Sequence, residues 1–361
     1  MAERVVVAMS GGVDSSVTAA LLQEQGYEVI GVTMKLWEGP EAVAAQHKTC
    51  CTLDDVSDAR RVADRLGIPF YVVNFKAQFT EHVIDYFVAA YQQGYTPNPC
   101  AQCNRHLKFT ALLQRARQLD ADWVATGHYA TISRDTTGRY AIRRGLDAQK
   151  DQSYFLFDLT QEQLRHTMLP LGAYQKDVVR QLAARLRLTV AEKPESQEIC
   201  FIPDGDYRTF LRPRLGAEAT PPGPIVDTAG KVLGQHQGVP FYTVGQRRGL
   251  GIAAAQPLYV THLDTEHNTV VVGPRAEALC ATFVVERLNW MCLPPTQVLH
   301  TTVQIRYRHQ PVPAEVSTLP ANQARVVLSV PQFAVTPGQA AVFYDGDTIL
   351  GGGWIARPLS V

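Results

Sequence analysis

The sequence predicts an α/β fold in which a doubly wound parallel sheet is followed by a small mixed, β-rich domain and a C-terminal β-barrel. Short apolar runs alternate with helical patterns through the first half, and this order builds a parallel sheet with helices on both faces. From about residue 203 onward, helical periodicity fades and short strands with turn residues dominate, as in small barrels. We therefore predict domains at residues 1–204, 205–281 and 282–361.

The elements of the first half follow from their apolar periodicity. The predicted strands are Val5–Met9, Glu28–Met34, Phe70–Asn74 and Asp122–Thr126. The predicted helices are Val17–Gln25, Asp54–Leu66, Thr80–Gln93, Asn104–Leu119 and Lys176–Leu186, with a further helical stretch opening at Lys150–Ser153. In the last domain, strands are expected near Thr301–Tyr307, Ala314–Val316, Arg325–Val330, Ala340–Tyr344 and Thr348–Gly352. Ligands of open parallel sheets bind at the carboxyl ends of the strands.

Bulk composition limits the functional classes only loosely. Among the 361 residues, 34 basic side chains balance 34 acidic ones, so net charge neither favours nor excludes a nucleic-acid partner. There is no charged-then-apolar N-terminal signal and no long apolar run, which predicts a cytoplasmic protein that is not bound to a membrane. Seven cysteines in such a chain favour thiol or metal chemistry over a disulfide framework.

The turn Ser10–Ser16, with the sequence SGGVDSS, joins the first strand to the first helix. A glycine turn at this position directs backbone N–H groups and a helix N-terminus at one point, which favours phosphate. The loop lacks the lysine of the common G-x-x-x-x-G-K-[ST] phosphate loop. An ordinary serine-capped turn is the alternative interpretation. At the other strand ends, Gly127 would let a nucleotide approach the backbone, and Met34 is either an adenine contact or a core residue.

Three cysteines are candidates for chemistry. Cys100 and Cys103 form a C-x-x-C pair near a helix N-terminus, where the dipole lowers a thiol pKa. Cys200 lies far away along the chain. A C-x-x-C pair alone is compatible with zinc, redox or cluster chemistry. The loop S-G-G-x-D-S resembles the pyrophosphate loop of the ATP-pyrophosphatase superfamily, which implies that ATP adenylates a substrate here. Together with such a loop, the cysteines indicate thiolation: ATP activates a carbonyl oxygen, and cysteine-bound sulfur displaces the adenylate.

The chain resembles the bacterial-type tRNA-specific 2-thiouridylases of the ATP-pyrophosphatase superfamily, nearly from end to end. The matching blocks are Met9–Ser16, Thr96–Pro99 with Cys103-Asn104, Ala125–Tyr129, Lys150–Leu156, Ile199–Ile202, Gly245–Gly251, Arg306–Arg308 and Thr336–Gln339. The resemblance implies an adenine nucleotide hydrolase-like first domain and ATP-dependent formation of 2-thiouridine at the wobble position. It implies ATP with Mg²⁺, Asp14 being the Mg²⁺ ligand. The implied ATP site comprises Ala8, Met9, Ser10, Gly11, Gly12, Val13, Asp14, Ser15, Met34 and Gly127.

The resemblance also assigns the cysteines. Cys200 matches the residue that carries the incoming persulfide, and Cys103 matches the nucleophile that attacks it or releases the sulfur; the pair can form a disulfide. Many relatives have aspartate where this chain has Cys100, so the role of this position is open. Either Cys100 is a spare thiol and the persulfide route holds, or Cys100, Cys103 and Cys200 carry a [4Fe–4S] cluster, to which the Cys50-Cys51 pair could add a ligand.

The implied partners are the tRNA anticodon stem-loop and a persulfide carrier protein or desulfurase. The residues implied to contact RNA are Asn98, Pro99, Cys100, His128, Lys150, Asp151, Gln152, Arg306, Tyr307 and Gln339. Two structural alternatives remain at this point: Asp151 could cap a helix, and Arg306 could belong to a solvated face. Two other functions also remain, namely another adenylating synthetase and a non-catalytic metal-bearing RNA-binding protein.

Overall fold

A computed structural model describes residues 2–37, 53–194, 199–202, 205–216 and 220–356. The chain forms two compact units. The first comprises Met1–Val83, Cys100–Asp206 and Asp347–Ile349, and the second comprises Ile84–Pro99, Tyr207–Gly346 and Leu350–Val361. The partition into three domains at residues 204 and 281 stays a prediction.

Helices and strands have the following bounds. The α-helices are α1 Val13–Glu24, α2 Leu53–Leu66, α3 Lys76–Phe79, α4 Tyr86–Gln92, α5 Pro99–Gln102, α6 Leu112–Arg117, α7 Gln161–Arg165, α8 Lys176–Arg185 and α9 Tyr207–Leu215. Thr80–Asp85 and Cys103–Ala111 are π-helical, and short 3₁₀ turns occur at Ser153–Leu156, Pro170–Ala173, Val239–Phe241 and Arg275–Ala278. The strands are β1 Arg4–Ala8, β2 Glu28–Lys35, β3 Phe70–Asn74, β4 Trp123–Ala125, β5 Ala130–Arg134, β6 Tyr140–Arg144, β7 Thr167–Met168, β8 Gly223–Asp227, β9 Val232–His236, β10 Tyr259–Asp264, β11 Thr269–Gly273, β12 Leu279–Trp290, β13 Leu299–Gln304, β14 Val312–Leu319, β15 Gln323–Phe333, β16 Ala340–Asp345 and β17 Thr348–Ile355.

The first unit is built on a five-stranded sheet of order β3-β2-β1-β4-β7. Its four pairings are parallel, and Val7 of β1 lies between Gly31 of β2 and Ala125 of β4. The strand order therefore reverses between β1 and β4, and such a reversal opens a crevice at the carboxyl ends of the two strands. The predicted doubly wound parallel sheet is confirmed.

The core of this unit explains the continuous apolar character of its first elements. Val5, Val6 and Val7 of β1 are fully buried, and Val17 of α1 is buried equally well. Parallel strands covered on both faces need apolar side chains on both faces, so their sequence shows no alternation. The first turn of α1 is consequently held by the best-packed part of the unit.

The second unit contains a closed six-stranded barrel and a separate four-stranded sheet. The barrel order is β12-β15-β14-β13-β16-β17, closed by antiparallel pairing of β12 with β17. Its interior is filled by residues such as Phe283, Val303, Val326 and Phe343. The separate sheet has the order β10-β11-β8-β9. The predicted C-terminal β-barrel is confirmed, because the pairing of β12 with both β15 and β17 closes the sheet.

Several elements differ from the sequence prediction. The antiparallel hairpin β5–β6, helix α9 and strand β12, which crosses the predicted boundary at residue 281, were not predicted. The stretch after Lys150 forms only the 3₁₀ turn Ser153–Leu156. Helix α9 contains Pro213 and three arginines, which weaken the helical signal of a nine-residue segment. In the residues described, no helix combines the length and apolarity needed to cross a bilayer.

Candidate nucleotide and thiol site

The segment Ser10–Ser16 lies on the crevice side of the sheet: Ser10–Gly12 connect β1 to α1, and Val13–Ser16 form the first turn of α1. Gly11 has a φ of +75°, and a Cβ there would lie 2.2 Å from the carbonyl oxygen of Asp55, so only glycine fits. Gly12 is the N-cap of α1 and, lacking a side chain, leaves the N–H groups of the first turn to another acceptor. The hydroxyls of Ser15 and Ser16 donate to the carbonyl oxygen of Gly12 at 3.2 and 2.8 Å. The loop is thus a fixed backbone cradle of the kind that binds phosphate.

Asp14, on the first turn of α1, is held by two residues that the sequence did not single out. Nζ of Lys176 lies 2.7 Å from Oδ1 and 2.8 Å from Oδ2 of Asp14, and the hydroxyl of Tyr129 donates to Oδ1 at 2.7 Å. The Asp14 side chain retains 30% exposure. Mg²⁺ in nucleotide sites is commonly held by one or two carboxylates and by phosphate oxygens, so Asp14 fits the predicted ligand role. Tyr129 belongs to the block Ala125–Tyr129 that matches the 2-thiouridylases, whereas the sequence marked Lys176 only as the first residue of a predicted helix.

Gly127 makes a close approach, but its neighbour is the phosphate loop. A Cβ at Gly127 would lie 2.9 Å from the carbonyl carbon and Cβ of Asp14 and 3.0 Å from the nitrogen of Ser15. Such distances are shorter than ordinary carbon contacts. Glycine is therefore needed at the end of β4 to let the first turn of α1 pack beside it. Whether a nucleotide also lies against Gly127 stays a prediction.

Lys193 braces the other side of the loop. Its Nζ donates to the carbonyl oxygen of Gly11 at 3.0 Å and to carboxylate oxygens of Asp55 and Asp58 at 2.6 Å each. Burial lowers the pKa of Lys193, but the hydrogen bonds to Asp55 and Asp58 outweigh it and leave that pKa raised. Burial likewise raises the pKa of Asp58, yet the hydrogen bonds from Lys193 and Arg61 bring it below its ordinary value. Lys193 was also missed from the sequence.

The remaining predicted ATP residues lie on or beside these elements. Ala8 ends β1, and buried Met9 follows it; Val13 opens α1 and is also buried. Met34 is buried next to the end of β2, on the strand adjacent to β1. The topology therefore places Met34 at the same sheet edge as the loop. This position is compatible with an adenine contact and with a core residue.

The candidate thiols differ in exposure. Cys100 is exposed within α5, and Cys103 is 8% exposed at the start of the π-helical segment Cys103–Ala111. The helical stretch thus begins at Pro99, earlier than the predicted Asn104. Cys200 is half-buried in a short turn, in which the buried Phe201 ring packs edge-on against Phe79 at a centroid distance of 5.7 Å. Phe201 fixes one side of the turn that carries Cys200.

The cluster hypothesis finds no ligand set in the structure. Within the described ranges, no three histidine, cysteine or acidic side chains form a group able to hold a metal ion, and Cys100, Cys103 and Cys200 are all inside those ranges. The three thiols therefore do not fit a [4Fe–4S] cluster, which needs convergent thiolates. Cys50 and Cys51 lie outside the described residues.

His128, predicted to contact RNA, is 9% exposed and hydrogen-bonded inside the first unit. Its Nδ1 lies 2.7 Å from Oγ1 of Thr126, and its Nε2 lies 3.4 Å from Nζ of Lys108. Burial and the Lys108 charge hold the pKa of His128 well below its ordinary value. With the Lys108 ammonium donating to Nε2, the ring is neutral and its proton is on Nδ1.

The turn Lys150–Gln152 is a tightly bonded corner of the first unit. Asp151 is buried and accepts from Nη1 of Arg144 at 2.9 Å, from the nitrogen of Gly145 at 3.0 Å, and from the hydroxyl of Ser153 at 2.8 Å. Oε1 of Gln152 accepts from the nitrogen of Tyr129 at 3.2 Å. These bonds hold Asp151 within the fold, but the N-cap of the following 3₁₀ turn is Gln152 and not Asp151. The RNA contacts of Lys150, Asp151 and Gln152 stay predictions.

In the second unit, Gln339 secures the loop that leads to the predicted target-base segment. Its Nε2 donates to the carbonyl oxygens of Thr96 and Pro97 at 3.0 and 3.2 Å, and the nitrogen of Thr96 donates to the carbonyl oxygen of Pro337 at 2.8 Å. Asn98 and Pro99, which follow this loop, are buried. Gln339 and Asn98 therefore belong to one corner of the second unit, and their contacts with RNA stay predictions.

Arg306 and Tyr307 follow strand β13 and are half-buried. Nη1 of Arg306 donates to the carbonyl oxygen of Phe333 at 3.2 Å. Arg308 is exposed, and its guanidinium lies 5.4 Å from the centroid of the Tyr307 ring. The Arg306 side chain is thus partly engaged by the barrel, and its contact with RNA stays a prediction.

The sheet, with a glycine-rich loop at the point where its strand order reverses, defines a nucleotide-binding α/β domain. Family profiles agree: residues 3–204 match a profile described as a tRNA methyl transferase HUP domain, residues 208–274 match a tRNA methyl transferase PRC-barrel domain, and residues 280–355 match an aminomethyltransferase beta-barrel domain. These descriptions refer to methyl transfer.

Curated relatives are more specific. The chain is 56% identical to the tRNA-specific 2-thiouridylase MnmA of Geobacter metallireducens, over 98% of this chain and 96% of that one. It is 52% identical to the protein of the same name from Carboxydothermus hydrogenoformans (99% and 98% covered) and 53% identical to that of Geotalea uraniireducens (99% and 96% covered). The chain belongs to the family of tRNA-specific 2-thiouridylases. The predictions of this family and of an enzyme are confirmed.

Proposed function

We propose that this protein is a tRNA-uridine 2-sulfurtransferase that converts the wobble uridine of its tRNA substrates to 2-thiouridine at the expense of ATP. The observation that carries the proposal is the 56% identity, over nearly the whole of both chains, to an enzyme named for this reaction. The phosphate-binding loop at the point where the strand order reverses supports the ATP-dependent half of the reaction. The thiols of buried Cys103 and half-buried Cys200 support the sulfur-transfer half.

In the first step, the C2 oxygen of uracil attacks the α-phosphorus of ATP. The bond from that phosphorus to the bridging oxygen breaks, and pyrophosphate leaves with the electron pair. The loop Ser10–Ser15 and the N-terminus of α1 bind the phosphates through backbone N–H groups. Asp14 would hold Mg²⁺, which would neutralise phosphate charge. The base itself is held by Asn98, Pro99 and Cys100.

In the second step, the terminal sulfur of a persulfide on Cys200 attacks C2, and AMP leaves. Attack of the Cys103 thiolate on Sγ of Cys200 then breaks the sulfur–sulfur bond, leaving reduced sulfur on the base and a disulfide between the two cysteines. A thiol reductant returns both cysteines to thiols for the next turnover. The persulfide comes from a carrier protein or desulfurase, and the reaction takes place in the cytoplasm.

The experiment that tests this proposal uses the purified protein with unmodified tRNA, Mg²⁺-ATP and a persulfide donor. The 2-thiouridine content is measured by nucleoside mass spectrometry, and pyrophosphate release is measured separately. Cys103→Ser and Cys200→Ser are expected to abolish 2-thiouridine but to keep tRNA-dependent pyrophosphate release. Cys280→Ser is the matched control, because burial raises the pKa of the Cys280 thiol and makes it a poor nucleophile.

Absence of 2-thiouridine with the unaltered protein would overturn the proposed reaction. Full thiolation by both cysteine variants would overturn the assignment of the sulfur-transfer step while leaving the adenylation step intact. Cys100→Ser in the same assay decides whether the third thiol is needed.

A further inference from the structure

Cys100 is the exposed residue of a segment that is otherwise buried. It is the second residue of helix α5, and its neighbours Pro99 and Ala101–Asn104 are all buried. Cys103 keeps 8% of its surface exposed, and Cys200 is half-buried. Among these three cysteines, Cys100 is therefore the one that a reductant in solution reaches most easily.

The helical backbone places Cys100 and Cys103 within the range of a disulfide. Gln102, which lies between them, has a φ of −63° and a ψ of −44°, so helical geometry continues from α5 into the segment Cys103–Ala111. Residues three apart in a helix have Cα atoms about 5 Å apart, and disulfides join Cα atoms that are about 4.4–6.8 Å apart. The Cβ atoms of such a pair must approach by about 1–2 Å. The first turn of a helix, which contains Cys100, can adjust by this amount because its N–H groups make no intrahelical hydrogen bonds.

The buried thiol of the pair lies in the fixed part of the helical stretch. Asn104, directly after Cys103, is 1% exposed, and its Nδ2 donates to the carbonyl oxygen of Phe155 at 3.0 Å. Nη1 of Arg105 donates to Oδ1 of Asp158 at 2.8 Å. An exposed thiol thus stands three residues before a buried and anchored one. Since no set of three metal-ligating side chains occurs in the part of the chain that the structure describes, this arrangement fits thiol–disulfide exchange better than metal binding.

We propose that Cys100 is a resolving thiol, which regenerates the enzyme after each sulfur transfer. This inference rests on the proposed function, whose second step leaves a disulfide between Cys103 and Cys200. The Cys100 thiolate attacks Sγ of Cys103, the bond between Cys103 and Cys200 breaks, and Cys200 leaves as a thiolate that takes up the proton lost by Cys100. The new disulfide joins Cys100 to Cys103, so this exchange needs neither an oxidant nor a reductant. A dithiol reductant from solution then attacks the exposed Sγ of Cys100, releases the Cys103 thiolate and is itself oxidised to a disulfide.

The first test identifies the disulfide by peptide mapping. The protein is loaded with persulfide, freed of excess donor and mixed with tRNA and Mg²⁺-ATP without reductant, and the remaining thiols are then blocked with N-ethylmaleimide. The unaltered protein is expected to contain a disulfide between Cys100 and Cys103, whereas Cys100→Ser should contain one between Cys103 and Cys200. Cys280→Ser, in barrel strand β12, is the control and should match the unaltered protein. A disulfide between Cys103 and Cys200 in the unaltered protein would overturn the proposal.

A kinetic test separates the resolving role from contact with the target base. Loss of a base contact slows the first and the later turnovers alike, whereas loss of the resolving thiol slows the later turnovers more than the first. With thioredoxin as the reductant, Cys100→Ser should lower the ratio of the steady-state rate to the first-turnover rate about tenfold, because an intramolecular attack is lost. A high concentration of dithiothreitol, a small dithiol, should restore this ratio.

Two further outcomes would overturn the proposal. One is an unchanged ratio of the two rates in Cys100→Ser, and the other is stoichiometric iron and sulfide in the protein purified without oxygen, since the thiols would then be cluster ligands. Failure of the unaltered protein to form 2-thiouridine would count against the proposed function itself. Formation of 2-thiouridine without a disulfide at Cys100 would leave that function intact and refute the resolving role alone.

Discussion

Substituting alanine for Gly127 is the sharpest probe of the loop geometry. The added Cβ would lie 2.9 Å from the carbonyl carbon of Asp14 and 3.0 Å from the nitrogen of Ser15. Carbon contacts prefer about 3.5–4.0 Å, so one of the two segments must move by roughly 0.5–1 Å. The neighbouring atoms are backbone, and Ser16 and Val17 behind them are fully buried, so the helix cannot recede without disturbing the core. Overpacking of this kind costs about 1–3 kcal/mol of unfolding free energy.

The same displacement should disturb the phosphate cradle. A misplacement of about 1 Å can cost on the order of a hundredfold in rate, so we expect about a tenfold or larger drop in tRNA-dependent pyrophosphate release. Urea unfolding checks the stability loss. Gly353→Ala is the matched control, because its Cβ would lie 2.6 Å from the carbonyl oxygen of Glu286 in the barrel and should destabilise the protein without slowing the first step. Gly127→Ala with normal pyrophosphate release and normal stability would refute the reasoning.

Three further predictions follow from individual contacts. Because the pKa of His128 is lowered in the folded protein, the unfolded state takes up a proton first, and the unfolding free energy should fall as pH drops below about 6.5. His128→Asn should weaken this pH dependence in urea titrations. The same pH dependence in the variant and the unaltered protein would contradict the prediction. Lys193→Met removes the hydrogen bonds to Gly11 and Asp58 and should lower the unfolding free energy by about 1–2 kcal/mol. It should also weaken ATP binding. Unchanged ATP affinity would show that the loop does not depend on Lys193. Arg306→Ala should lower the salt slope of tRNA binding by about one, and an unaltered slope would place this side chain away from RNA.

The sequence predicted the sheet and the barrel because both depend on local apolar pattern. Strand Phe70–Asn74 was predicted with its observed bounds, whereas α1 begins at Val13, four residues before the predicted Val17, so only Ser10–Gly12 lie between strand and helix. The hairpin β5–β6 was missed, since its strands mix charged and apolar residues without a clear period. The alternation of apolar and polar residues reveals a strand when one of its faces is buried. Strands β5 and β6 are only partly buried, so their sequences lack that alternation.

The partners of the loop could not be predicted in the same way. Lys176 and Lys193 reach Asp14 and Gly11 across 162 and 182 positions of the chain. A lysine at the start of a helix and a lysine in a polar turn have many ordinary explanations, and only the folded chain shows where their ammonium groups lie. Similarly, Gly127 was expected to let a nucleotide approach, and the structure also packs the turn that carries Asp14 against it. Close approach was predictable from the glycine; the approaching group was not.

Lys176 and Lys193 contact different parts of the loop Ser10–Ser16, and the position of Lys193 bears on the proposed sulfur transfer. Lys176 contacts the carboxylate of Asp14, whereas Lys193 contacts the carbonyl oxygen of Gly11 and the acidic start of α2. Lys193 also lies shortly before Cys200 in the chain, and Phe201, just after that cysteine, is fixed against Phe79. Lys193 and Phe201, which lie on either side of Cys200 in the sequence, are therefore held by the loop Ser10–Ser16 and by the core, respectively. In the proposed reaction, these two contacts would limit how far Cys200 can lie from the adenylated base, and a sulfur transfer that must be faster than hydrolysis of the adenylate would require that limit.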